Sequence, residues 1–157
     1  MKRKNTGFTL VEILIVVIIL GILAAIVIPQ FTEASNDARK SALVSDLQTA
    51  RSQVELFKVQ HLDTYPGYDG GAAFDANDFV TELTGKTDQD GSQNDSGRFG
   101  PYLQKFPTNP FNDLNNVKSI DSTDDNNKKD MTYGWWFDPS QGRFGVMDDQ
   151  STNYWAL

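Results

Sequence analysis

From Phe8 to Ile28 only two side chains, Thr9 and Glu12, are polar. At ~1.5 Å of helix rise per residue this stretch reaches about 30 Å, roughly the hydrocarbon thickness of a bilayer. It is therefore predicted to be a membrane-spanning helix. Lys2, Arg3 and Lys4 precede it, and no Lys or Arg follows before Arg39. The positive-inside rule then leaves the N-terminus in the cytoplasm and exports the bulk of the chain. A cleaved secretory signal fits poorly, because the apolar run exceeds the usual ~7 to 15 residues and Ala24-Ala25 continues into Ile26-Val27-Ile28-Pro29 without a small-x-small cleavage site.

Glu12 is the anomaly in this span. A carboxylate within a bilayer costs on the order of 2 to 3 kcal/mol or more, so it is read as functional and needs a named partner. Its own helix is expected to offer none, and Lys4 is expected to reach into the headgroups instead. A plain membrane anchor, or a tethered binding domain that never polymerises, leaves this acid unexplained.

Gly7-Phe8-Thr9-Leu10-Val11-Glu12, followed by the apolar helix with Gly21 and Pro29, resembles the type IV pilin superfamily. The resemblance implies a leader at 1–7, cleavage between Gly7 and Phe8 by a prepilin peptidase, and N-methylation of the new Phe8 amine. It implies a transmembrane and filament-core helix at 8–28 and a periplasmic pilin-like domain at 29–157. It also implies a partner for Glu12, the terminal amine of a neighbouring subunit during assembly. The location implied is a single pass through the bacterial inner membrane.

The 157 residues leave room for one small soluble domain beyond the span. Acids outnumber bases by 21 to 14, and loss of the leader would remove Lys2, Arg3 and Lys4. So acidic a chain argues against an extended path for nucleic acid. The absence of cysteine excludes disulfides and thiolate metal sites.

Beyond Pro29, Leu43, Leu47, Ala50, Val54 and Phe57 recur at helical spacing, with Asp37, Arg39, Lys40, Asp46, Arg51 and Glu55 on other faces. One helix from Phe8 to about Leu62 is expected. Gly21 and Pro29 are its weak points: Pro29 removes the hydrogen bond to the Ala25 carbonyl, so a kink or local melting is expected there. The resemblance adds that this segment loosens as a subunit moves from bilayer to filament.

Tyr65-Pro66-Gly67 ends the helix, and Phe74, Phe79, Val80 and Leu83 suggest a short second helix capped by Asp75 or Asn77. Lys86 to Gly97 reads as a solvated loop, and Gly100-Pro101-Tyr102-Leu103 through Phe111 as an ordered loop pinned to a core. Met131 to Phe137 and Arg143 to Met147 are predicted strands of a hairpin turned at Gly142. The fold class expected is α+β and pilin-like, a long helix packed on a small antiparallel sheet.

Tyr65-Pro66, the short helix, and Gly100-Pro101-Tyr102-Leu103 with Pro107 and Asn109-Pro110-Phe111 resemble the major pseudopilins of type II secretion systems. That group carries an Asp-Pro-Trp-Gly type turn where this chain has Asn109, Phe111 and Asn112. The resemblance implies a structural subunit, not an enzyme, that polymerises into a periplasmic pseudopilus and drives protein export across the outer membrane. Implied partners are further copies of the chain, minor pseudopilins, an inner-membrane assembly platform and a cytoplasmic ATPase. The alternative from the same superfamily is a type IV pilus pilin for adhesion, motility or DNA uptake.

No catalytic constellation is visible. His61, the single histidine, is expected at the surface, and alternation makes Trp135 and Phe137 core and Trp136 a candidate subunit contact. Calcium is the one ligand considered, because hard cations need clustered oxygens. Candidate ligands are Asp121, Asp124, Asp125, Asp148 and Asp149, with Asp88 to Asp95 as a weaker stretch.

Overall fold

The computed structural model describes residues 7–68 and 73–148. The chain forms two compact units, Met1–Arg39 and Lys40–Leu157. Helix α1, Leu10–Gln60, begins in the first and ends in the second.

In the first unit the apolar side chains of α1 are uncovered, with Ile13, Val16, Ile19, Leu23 and Val27 each more than half exposed. The segment is long and apolar enough to cross a membrane, and none of it is buried within the protein. Pro29 lies inside α1, which remains helical through it. The Thr32 hydroxyl donates to the Ile28 carbonyl at 3.1 Å just beyond.

In the second unit Leu43, Leu47, Ala50, Val54 and Phe57 form the buried face of α1, as their spacing predicts. The helix stops two residues before the expected Leu62. Leu62 and Asp63 take left-handed backbone angles, φ 55° and 67°, and the Asp63 amide turns back to the Lys58 carbonyl at 3.0 Å. Helix α2, Ala76–Thr84, is capped by Asp75, whose carboxylate accepts the Asn77 amide at 2.6 Å.

The sheet differs from the expectation of an antiparallel one. Strand β2, Trp135–Asp138, pairs antiparallel with β3, Arg143–Val146, but parallel with a short strand β1, Val117–Ser119. The sheet is therefore mixed, in the order β1-β2-β3. Trp135, Phe137, Phe144 and Val146 face α1 and α2 and join Phe79, Leu83, Leu103 and Phe106 in one core.

Loops close that core. The amides of Tyr102 and Leu103 both donate to the Leu83 carbonyl, at 3.0 and 2.9 Å. Asn109 is fully buried; its side-chain amide donates to the carbonyls of Gly134 and Met147, and its oxygen accepts the Phe111 amide. The stretch 86–97 is mostly exposed, but Thr87 is fully buried and exchanges backbone hydrogen bonds with Phe99.

Two further expectations are corrected here. Trp136 is 1% exposed and is no surface contact. It packs with Ile120, Met147 and Tyr133 on the second face of the sheet, and its indole donates to the Val146 carbonyl at 2.8 Å. His61 is also 1% exposed. Its ring stacks on Phe57 at 3.8 Å, with Nδ1 2.8 Å from the Phe57 carbonyl and Nε2 2.9 Å from the Thr87 hydroxyl. Because a carbonyl only accepts, Nδ1 carries a proton.

Candidate functional site

The N-terminal motif sits at the start of α1. Gly7 and Phe8 precede the helix in non-helical backbone, and Phe8 is 83% exposed. The Gly7-Phe8 bond that a peptidase would cut is therefore open to solvent on its own chain.

Thr9 is the N-cap residue and Glu12 the third residue of the helix, and they satisfy each other. The Glu12 amide donates to the Thr9 hydroxyl oxygen at 3.2 Å. The Thr9 amide and hydroxyl both donate to Glu12 Oε2, each at 2.7 Å. This is a capping box, which ties two otherwise unpaired amides of the first turn to side chains. It corrects the expectation that Glu12 has no partner on its own helix. The signal was present in the sequence as Thr9-Leu10-Val11-Glu12. Both donors from Thr9 converge on Oε2, and among the described residues nothing donates to Oε1.

Gly21 lies midway along the apolar stretch, and a β-carbon added there would meet nothing within 4 Å. No neighbour in the same chain requires its missing side chain. Small residues in apolar helices let a second backbone approach closely.

Among the described residues, the acids considered for calcium do not gather in a group of three. Asp121 accepts the amide and hydroxyl of Thr123, and Asp124 accepts the Asn126 amide, each closing its own turn. The backbone of Asp125 opens a 3-10 turn, Asp125–Lys129. Asp148 is buried, its amide donating to the Lys128 carbonyl at 3.1 Å. Asp149 lies outside the described residues. Among the described residues no three acidic or histidine side chains gather to hold a metal. Asp88 and Asp90 likewise serve their own loop, accepting from Asn94 and Ser92.

Asp138 is the acid with the most donors. Buried at the end of β2, it accepts the amides and hydroxyls of Ser122 and Ser140. Burial pushes its carboxyl up, but the donors from Ser122 and Ser140 outweigh that and hold it at about 2. Asp130 is also held at about 2, chiefly by the Lys118 ammonium at 2.7 Å. Asp138 also lines a surface pocket with Tyr68, Ile120 and Ser140.

Comparison with known proteins agrees with the N-terminal geometry. Residues 2–28 match the prokaryotic N-terminal methylation motif. The chain is 33% identical over 110 residues, 70% of each chain, to the type II secretion system core protein G of Pseudomonas aeruginosa. It is 31% identical to the protein of that name from Aeromonas hydrophila, over 70% of each chain. The Vibrio cholerae protein of that name is also 31% identical, over 69% of this chain and 67% of the relative. No solved structure matches the chain at a significant level. With its methylation motif, long apolar helix and mixed sheet, the chain belongs to the family of type II secretion system core protein G, the major pseudopilins.

Proposed function

We propose that the chain is a structural, non-catalytic subunit that assembles with further copies into a periplasmic pseudopilus and helps drive protein export across the outer membrane. Family membership carries this reading, since the matched relatives are named as secretion-system core subunits. It favours secretion over a type IV pilus role.

In this reading a prepilin peptidase cuts between Gly7 and Phe8, and the Phe8 amine is methylated. The helices Phe8 to Ile28 hold the subunit in the inner membrane and then bundle in the filament core. Glu12 keeps its own Thr9 as a cap through Oε2 and leaves Oε1 for the Phe8 ammonium of a neighbour. Gly21 admits a neighbouring helix, and Pro29, which lacks an amide proton, loosens the helix on leaving the bilayer. Minor pseudopilins, an inner-membrane platform and a cytoplasmic ATPase complete the machine, the ATPase supplying the energy.

The test is expression of the full chain in cells with a prepilin peptidase and a type II system lacking its own core G subunit. The expected result is a mature chain beginning at methylated Phe8, sheared filaments that contain it, and secretion of a reporter substrate. An uncleaved chain, or a cleaved one that yields neither filaments nor secretion, would refute the reading.

A further inference from the structure

Strand β3 is an edge of the sheet: the order is β1-β2-β3, and no strand lies beyond it among the described residues. Gly145 stands opposite Trp136 in the antiparallel ladder, and the Met147 amide donates inward to the Gly134 carbonyl at 3.1 Å. Alternation therefore turns the backbone groups of Phe144 and Val146 outward, away from β2. Side chains occupy both outward carbonyls. From α1, on one face of the sheet, the Arg51 Nε–H reaches the Phe144 carbonyl at 2.9 Å. From the other face the Trp136 indole N–H reaches the Val146 carbonyl at 2.8 Å. The second reach depends on Gly145, because a β-carbon there would run into the indole ring.

An edge strand with open acceptors is a template for another strand. No proline blunts β3, and its register with β2 is unbroken. The opposite edge, β1, is three residues long and lies beside α2. We propose that Arg51 and Trp136 seal the β3 edge against strand pairing with a second copy of the chain. A strand arriving at β3 finds its acceptors filled, and pairing has first to break one side-chain hydrogen bond on each face of the sheet. Copies anchored by the apolar span of α1 meet side by side, where an open edge would pair most readily. The seal leaves contact between copies to other surfaces, and it holds whether or not the filament reading does.

The test uses the full chain dispersed in detergent, at concentrations where wild type runs as a monomer. Arg51→Leu removes one donor and keeps a side chain suited to a half-buried helix position. Arg51→Gln is its control: Gln Nε2 stands as many bonds from the backbone as Arg Nε, so the donor stays and only the charge goes. Trp136→Phe removes the indole N–H and keeps a ring. Association is read by sedimentation, and its location by hydrogen exchange of the Phe144 and Val146 amides. Arg51→Leu and Trp136→Phe should each lose monomer to larger species, and the double variant should lose most of it. The Phe144 and Val146 amides should become protected as the monomer disappears, while Arg51→Gln stays monomeric. Removing a positive charge from so acidic a chain opposes association, so charge does not account for the gain.

A folded double variant that stays monomeric would overturn the seal. So would association that leaves the Phe144 and Val146 amides unprotected, because the contact would then lie elsewhere. Association of Arg51→Gln to the extent of Arg51→Leu would overturn it as well. If the double variant loses the native protection of the β1/β2 amides, the single variants decide by the same readings. Loss of that protection in both single variants would make the two donors part of folding alone and overturn the proposal.

Discussion

The Ser122 hydroxyl reaches the buried carboxylate of Asp138 at 2.6 Å, joining the segment after β1 to the end of β2. Four further donors, the Ser122 amide and the groups of Ser140 and Gln141, complete the set. The carboxyl is held at about 2, below its usual 3.8. A depressed carboxylate stabilises the fold fully above the unfolded value and loses that contribution as pH falls through the folded one. We expect stability to drop between about pH 4 and pH 2, by on the order of 2 kcal/mol from this residue. Asp138→Asn should flatten that acid limb in melts of the full chain in detergent, and an unchanged pH profile would contradict it.

Gly145 lies opposite Trp136 in the β2/β3 ladder, and a β-carbon there would run into the indole ring. Gly145→Val should therefore overfill the second face and destabilise the domain by about 1 to 3 kcal/mol. The measure is a fall in melting temperature together with a red-shifted tryptophan emission. A variant that melts like wild type would show that Trp136 is free to move aside.

Thr9 and Glu12 separate two roles at the helix start. Thr9→Val removes the hydroxyl that both caps the Glu12 amide and donates to the carboxylate, at a cost of about 1 kcal/mol. It should reduce filament yield moderately. Glu12→Gln leaves a neighbour's buried ammonium unmatched, at about 3 to 5 kcal/mol, and should nearly abolish filaments. Both should still be cleaved after Gly7. Equal filament yields from Glu12→Gln and wild type would remove charge pairing from the mechanism.

Calcium is checked by melting the full chain in saturating calcium and in chelator. The described acids already serve their own turns, so the two curves are expected to coincide. A clear upward shift with calcium would show that the protein binds it.

The span and the buried face of α1 were legible because each is a periodic signal within one segment. Leu43 to Phe57 needed only helical spacing to be placed in the core. Strand β1 was not legible: Val117-Lys118-Ser119 is three residues in a polar stretch, and its parallel partner lies beyond a long connection. His61 and Trp136 failed for a related reason. Their burial depends on distant cover, Thr87 and the Phe99 ring for one, and Ile120, Met147 and a missing side chain at Gly145 for the other. At the candidate site the acid at Glu12 was legible and its cap was overlooked, because an acid in an apolar run draws attention away from Thr-x-x-Glu.

Arg51 of α1 donates its Nε–H to the carbonyl of Phe144, 93 residues further along. The face from Leu43 to Phe57 is covered by strands that a ribosome makes much later. On the secretion reading, a chain threaded across the membrane from its anchored end would carry that face bare until Trp135 to Val146 had followed. The sequence distance between Arg51 and Phe144 therefore makes closure of the core a late event in synthesis.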